Sequence, residues 1–553
     1  MRATARTVAI ATLASLSLVA TACSSTTTPG DTTNPTGGTT GAQIKEGGEI
    51  TVRGCTPENP LIASNTTEVC GGNVLDAITA KLVHYNSDTA APEMDIAESI
   101  ESDDNQLFTV KLVKGYKFHD GTEVKAHNFV NAWNWAAYGP NGQSSAYFLE
   151  PVEGYADLQC SDEKCDAKPK ADKLTGLAVK DDYTFTIKTT APVSNMPVRL
   201  GYTAFAPQPD VFLKADKAAQ ERFAKKPIGA GPFKVDQISA TEMVLSRFAD
   251  YSGKNKPHVD KVTFRVYNDA NAAYNDVVAD NLDLTDLIPA DQLRGDAWKT
   301  QLDGRNGVRE TGIIQSMTFS PVDEQLKDVK LRKAISMAID REEITSKIFN
   351  GTRTPATGWV SPVVDGYKAE VCTNCKFNIE EAKKLYAETA GYKGPLQISV
   401  NGDGGHKLWA DAVCNQLRNN LNLDCQVNTT PDFKTLRKQI KGGELKGMFR
   451  GGWQMDYPSI ENFLTPIYAK GASSNDSKYD NPKFDEKLAE AAKAKSLDEA
   501  NKLYQEAEAM LNEDMPTFPK WYAATPFGYS TKVTNVKMTP FSTWDLSSVS
   551  YFC

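Results

Sequence analysis

Arg450-Gly-Gly-Trp453-Gln-Met-Asp456-Tyr457-Pro-Ser-Ile-Glu-Asn-Phe463-Leu464 brings an arginine, a tryptophan and a carboxylate together where a strand runs into a turn. Met448-Phe449-Arg450 is short and apolar-rich, as a strand requires. Gly451-Gly452 lets another backbone or a ligand approach closely. Tyr457-Pro458 imposes an extended residue and then a turn. Such a corner can present Asp456 to a bound cation while Trp453 walls off water. An Asp before Tyr-Pro also serves as a plain turn former, and a strand Trp as core, so the surroundings must decide.

Just upstream, helix and strand alternate. Asn378-Ile-Glu-Glu381 reads as an N-cap with a capping-box acid, and Gly391 closes that helix. Residues 396–400 form a strand. Leu408, Ala412, Val413, Leu417 and Leu421 give a helical stripe. A strand over 425–429 comes next, then a helix over 431–441, then the strand at Met448. This βαβαβ order implies a parallel sheet with crossover helices. Ligands of such sheets sit at the carboxyl ends of strands, where the Arg450–Asp456 turn lies. Two more helices are expected over 482–495 and 497–512, before Pro516 and Pro519 lead toward Trp521-Tyr522.

The earlier chain also mixes the two periodicities. Residues 50–53, 107–113, 183–188, 231–238, 243–248 and 262–266 read as strands, several with apolar–polar alternation. Asp120-Gly121 marks a turn. Residues 126–138 read as a helix with Phe129, Val130, Trp133 and Ala137 on one face. Residues 329–349 read as one long helix, with Ala334, Ile335, Ala338, Ile339, Ile344 and Ile348 near one side.

The N-terminus is an address. Arg2 and Arg6 precede an uncharged apolar run over 8–20, and Ala20-Thr-Ala22 supplies small residues before Cys23. Residues 1–22 read as a lipoprotein signal peptide, with Cys23 the acylated residue, although Ala20 stands where bacterial lipoboxes usually have Leu. Acyl chains bury about 0.8 kcal/mol per CH2 in a bilayer, so two or more tether a protein stably. Residues 23–47, rich in Thr, Gly, Pro and Ser, have too few apolar groups to offset ordering entropy and read as a flexible stalk.

The remaining ~500 residues exceed one core and call for two or three domains. The whole chain has 553 residues, 40% of them hydrophobic and 24% charged, with a formal net charge of −9. That sign argues against nucleic acid and against adhesion to anionic lipid, leaving the lipid on Cys23 as the membrane attachment. Ten cysteines suit an exported protein. Besides Cys23, sequence neighbours suggest Cys55–Cys70, Cys160–Cys165, Cys372–Cys375 and Cys414–Cys425, with Cys553 left over. Spacing alone leaves connectivity open. A Cys414–Cys425 bridge would pin a helix to the next strand. Cys372-Thr-Asn-Cys375 could be half a zinc site, but no second pair at metal spacing accompanies it. No metal or cofactor is expected.

No catalytic constellation emerges: there is no Gly-x-Ser-x-Gly elbow, His-Glu-x-x-His or P-loop. Gly402-Asp-Gly404-Gly405-His406 reads as a turn and helix start, and the five histidines are scattered. A secreted cell-envelope hydrolase would need a nucleophile or an acid pair, and none is located.

Several stretches together resemble the extracytoplasmic solute-binding proteins of family 5, the oligopeptide- and dipeptide-binding group of ABC transporters. Val113-Lys-Gly-Tyr-Lys-Phe-His-Asp-Gly-Thr-Glu-Val-Lys-Ala-His-Asn-Phe-Val130 resembles that family's signature segment. Pro227-Ile-Gly-Ala-Gly-Pro-Phe-Lys-Val235 is similar to its Gly-Thr-Gly-Pro-Tyr strand. Asp328-Val-Lys-Leu-Arg-Lys-Ala-Ile-Ser-Met-Ala-Ile-Asp-Arg341 resembles its long helix. Gly452-Trp-Gln-Met-Asp-Tyr-Pro458 with Phe463-Leu464 resembles its pocket motif, and Asn481-Pro-Lys-Phe-Asp485 its following helix start. The similarity runs from about residue 48 to the C-terminus.

The resemblance implies a two-lobed α/β periplasmic-binding-protein-like fold (type II, cluster C) with an extra α/β domain inserted in the first lobe. Lobe one would comprise 48–80, 196–312 and 522–553, the insertion 81–195, and lobe two 313–521, with hinge strands near Gln315 and Pro519. It also implies roles. Asp456 would receive a peptide's α-ammonium, Arg450 would face a short peptide's carboxylate, and Trp453 with Tyr457 would belong to the cleft wall. The Cys55–Cys70 region falls where the family lines part of its cleft. A peptide ligand and ABC permease subunits would be the partners of a monomeric, lipid-anchored protein on the extracytoplasmic face of the bacterial cell membrane. A sugar or a metal complex is the alternative ligand on the same scaffold.

Overall fold

The computed structural model describes residues 44–552 apart from 58, 67–68, 162–164, 268, 403–404, 432 and 473. The leader, Cys23, most of the expected stalk and Cys553 lie outside the described residues. The folded body starts earlier than residue 48. Ile44–Lys45 pairs antiparallel with Ser550–Phe552, and Gly47 N donates to His258 O at 2.8 Å.

An eleven-stranded mixed sheet runs through both lobes. At the lobe-two end, Cys425–Thr430 and Met448–Gln454 flank Leu396–Asn401, and both pairings are parallel. Helices Lys407–Leu421 and Phe433–Gly442 make the crossovers. Apolar side chains repeat at helical spacing on the first of these, and Trp409, Ala410, Val413, Cys414, Leu417 and Leu421 are buried. Met448–Gln454 then pairs antiparallel with the long strand Asn306–Phe319, which pairs antiparallel with Thr517–Tyr529. At the lobe-one end, Glu49–Gly54 lies parallel to Lys261–Val266, followed by Glu242–Arg247 and Phe233–Ile238 in antiparallel pairing.

Three main cores sit on this frame. The lobe-two core runs from Ile314 to Tyr522, and a second core in lobe one joins Ile50 and Val52 to Phe264, Phe527 and Trp544. Thr517–Tyr529 contributes Phe518 and Trp521 to one and Phe527 to the other, so a single strand spans both lobes. The third core belongs to the insertion. Its antiparallel sheet has the order Ala97–Glu101, Leu107–Leu112, Thr184–Lys188, Leu177–Asp181. Helix Ala126–Ala137 covers it, with Phe129 stacked on Phe185 at 5.7 Å between ring centroids. Met196, Val198, Leu200 and Phe205 also pack into this core, which carries it beyond residue 195.

Two local expectations need correction. Residues 329–349 form two helices, Val329–Met337 and Arg341–Phe349. The Asp340 side chain accepts from Glu343 N and starts the second. The buried Arg341 guanidinium donates to Ser336 O and Ile339 O, carbonyls that a continuous helix would have used, and to Cys375 O of a neighbouring turn. The Asn378-capped helix ends at Ala387, before Gly391. Cys55–Cys70, Cys160–Cys165, Cys372–Cys375 and Cys414–Cys425 are all joined, the last linking Lys407–Leu421 to Cys425–Thr430.

Candidate functional site: an acidic, tyrosine-lined cleft

The strand at Met448 does not stop at Arg450 but continues through both glycines to Gln454. Gly452 faces Gln315 across the ladder, and a Cβ there would meet Gln315 Nε2 at 3.0 Å and Ile314 O at 3.1 Å. The close approach read from Gly451-Gly452 is thus made by the neighbouring strand. Met455 N then donates to Gly312 O at 2.8 Å, and the chain turns at Asp456.

Asn462, in the first turn of helix Glu461–Tyr468, holds the corner. Its Oδ1 accepts from Asp456 N at 2.9 Å and from Trp453 Nε1 at 3.1 Å. Its Nδ2 donates to Asp456 Oδ2 at 3.0 Å. Backbone, indole and carboxylate are therefore locked by one side chain. Beneath them lies a buried ion pair, Arg199 Nη2 to Glu461 Oε1 at 3.0 Å, with side chains 16% and 5% exposed. Asn195 Nδ2 and the Tyr457 hydroxyl donate to Glu461 Oε2 at 2.9 and 2.7 Å. The Arg199 guanidinium also sits 5.0 Å from the Tyr457 ring centroid.

The electrostatics follow from burial and these partners. Burial raises the Asp456 carboxyl; the Asn462 bond and Arg199 lower it and Glu461 raises it, leaving it pushed up to about 6. Burial also opposes ionisation of Glu461, but Arg199 beside it wins and holds it below the usual carboxylate range. The three charged groups leave one negative charge unbalanced, and it faces a cleft of about 1960 Å3. That is about twice the upper end of the ~300–1,000 Å3 typical of small-molecule pockets.

The cleft wall draws on all three cores. Lobe two supplies Gly452 to Tyr457, and the insertion with its flanks supplies Tyr85, Tyr147 and Tyr202. The Asp456 charge helps raise the pKa of all three of these tyrosines, after burial as the main cause. Tyr85 stacks on Phe541 at 5.1 Å, and a Cβ at Gly201 would come within 2.4 Å of the Tyr85 ring. Glycine at 201 is what lets that ring lie flat on the wall.

The four residues singled out from sequence therefore separate. Asp456 and Trp453 lie on the cleft. Tyr457 touches it, but its ring is buried in the insertion's core and its hydroxyl is committed to Glu461. Arg450 is not among the cleft-lining residues. It is half-buried, donates from Nη1 to Asn401 Oδ1 at 3.3 Å, and borders a separate cavity of about 90 Å3. A strand advances about 3.3 Å per residue, so position 450 lies too far back from the strand's carboxyl end. On that side burial, followed by Arg450, Arg353 and Arg341, depresses the Lys520 ammonium well below its usual range. Arg199, Asn195, Glu461 and Asn462 were not singled out from sequence. Glu461 and Asn462 stood inside the opening stretch without a role, and nothing local links Arg199 to them.

The pattern of the bacterial extracellular solute-binding proteins, family 5 Middle, matches residues 91–475. The chain belongs to this family. Its members are solute-binding proteins, and the two-lobed fold is theirs. Among curated relatives, the periplasmic oligopeptide-binding protein OppA of Salmonella typhimurium is 27% identical over 449 residues, covering 78% of this chain and 79% of its own. Heme-binding protein A of Haemophilus influenzae is 26% identical over 561 residues, covering 94% and 97%. Among solved structures, the periplasmic murein tripeptide binding protein MppA in its unliganded open form superposes with a TM-score of 0.79 at 22% identity, over 93% of this chain and 99% of that one. These relatives are named for different ligands, which only the site can address. No helix among the described residues is long and apolar enough to cross a membrane.

Proposed function

We propose that the protein captures extracellular peptides by their free amino terminus and delivers them to an ABC permease, while a lipid on Cys23 holds it at the extracytoplasmic face of the membrane. The observation that carries this reading is Asp456. Asn462 orients the carboxylate, burial disfavours its charge, and the surrounding network leaves that charge without a countercharge. An α-ammonium supplies both the missing charge and a charge-assisted hydrogen bond. A peptide's other groups meet a wall of tyrosines, whose rings tolerate varied side chains. Ligand contact with both lobes favours the closed form, and the permease reads that closure.

Native mass spectrometry of the protein purified under gentle conditions, followed by incubation with a peptide pool, tests the reading. Retained, intact peptides are expected. Exclusive retention of a sugar, a haem or a metal complex overturns the peptide assignment, and conversion of the pool to products overturns the receptor assignment.

A further inference from the structure

We propose that the cleft selects peptides that carry net positive charge and holds the carboxyl end without a cationic receptor. This rests on the peptide reading above and narrows it to a ligand class.

Among the described residues, seven carboxylates line the cleft, against the cations of Lys81, Arg199 and Lys470. Each of these cations is already paired. Lys81 Nζ lies 2.8 Å from Asp76, Arg199 pairs with Glu461, and Lys470 Nζ lies 2.7 Å from Asp480. Removing these pairs leaves Asp95, Glu150, Asp157, Asp456 and Asp545 on the wall. Asp95 is half-buried and accepts from the Tyr116 hydroxyl at 3.0 Å, a neutral partner. Asp157 has Lys170 only at 3.8 Å, and that lysine is 87% exposed. Like-signed charges around a concave wall of low polarisability focus their field into the opening.

A second observation points to what fills the space. Thr66 Oγ1, Asn73 Oδ1 and Trp544 Nε1 are buried on residues of this same wall and have no hydrogen-bond partner among the described residues. An indole donor and an amide acceptor without partners suit a guest that offers amides of its own. The cleft thus combines polar groups suited to a peptide backbone with a negative field. Every cation among its described lining residues already has a carboxylate partner. Arg450, the residue the family resemblance assigns to that end, lies elsewhere. A lysine or arginine side chain gains from the field wherever it lies along the cleft, whereas an acidic side chain is repelled.

Calorimetry with three pentapeptides, Ala-Lys-Ala-Lys-Ala, Ala-Ala-Ala-Ala-Ala and Ala-Glu-Ala-Glu-Ala, decides the matter. Affinity should fall in that order, with at least about tenfold between the first and the last at low salt, and the gap should narrow as salt screens the field. Neutralising Glu150→Gln, Asp157→Asn and Asp95→Asn together should compress the lysine-to-glutamate ratio, with the all-alanine peptide as the reference for a correctly folded cleft. C-terminal amidation of the all-alanine peptide should leave its affinity unchanged or improve it. Equal affinities for the three peptides, or a preference for the acidic one, overturn the charge inference while leaving the peptide reading intact. A loss of about tenfold on amidation overturns the claim about the carboxyl end. Failure of all three peptides to bind overturns the peptide reading itself.

Discussion

Replacing Asp456 by Asn should make the unliganded protein more stable and the receptor worse. At neutral pH the folded protein keeps this carboxylate ionised although its pKa is pushed from 3.8 up to about 6. At about 1.4 kcal/mol per unit, that costs up to about 3 kcal/mol, and solvent reaching the half-buried side chain reduces it to about 1–3. The sign is fixed by linkage. A carboxyl raised in the folded state is neutral in both states below pH ~4, so it costs nothing there. The cost grows as pH rises to about 6 and then levels. Asn keeps the shape, and Asn462 can still bond it. The variant should therefore melt with the wild type near pH 4 and above it at pH 7. Peptide binding should move the other way, weakening by about 2–5 kcal/mol, roughly 30- to 5,000-fold. Wild-type affinity should rise as pH climbs through about 6, while the variant's stays flat over that range. Thermal melts from pH 4 to 7 and calorimetry with one peptide from pH 5 to 8 read both effects. A variant that binds within about threefold of wild type, or that gains no stability at pH 7, would refute the electrostatic account.

Other perturbations probe the supporting structure. Arg199→Met leaves Glu461 buried without its cation and should destabilise by about 3–5 kcal/mol, whereas Arg199→Met with Glu461→Leu should recover most of that in denaturant unfolding. Arg450→Ala, outside the cleft wall, should shift peptide affinity by less than about threefold, in contrast to Asp456→Asn. Cys414→Ser with Cys425→Ser removes the tie between Lys407–Leu421 and the next strand, and should cost about 2–3 kcal/mol in the unfolding of lobe two. Asn462→Ala removes the group that holds Trp453 and Asp456 together. It should weaken peptide binding by about 1–3 kcal/mol, measured by calorimetry, because a half-buried indole N–H and a carboxylate lose their partner.

The sequence carried the parallel sheet well, because stripes at helical spacing alternated with short β-rich runs between residues 396 and 450. It carried the helix–sheet disulfide for the same reason, since Cys414 and Cys425 fell on adjoining elements. The helix break at Asp340 was hidden, because Arg341 looks like a helix residue until its guanidinium is seen capping the preceding turn. Asp456 was legible as a carboxylate at a strand's carboxyl end. Arg450, given a ligand-facing role by the family resemblance, lies off the cleft wall, because nearness in sequence to Asp456 does not give the depth at which a cleft begins. The ion pair under the site was invisible because Arg199 and Glu461 meet only through tertiary folding, and a single sequence has no periodicity that joins them. The acidic balance of the cleft was equally hidden, since whole-chain charge does not say which carboxylates share a wall.

The central claim is that a ligand's ammonium neutralises Asp456. Calorimetric titration of wild-type protein at pH 7 with one peptide and its N-acetylated twin tests it most directly. The account predicts that acetylation weakens binding by at least about 30-fold. Equal affinity for the two would contradict it.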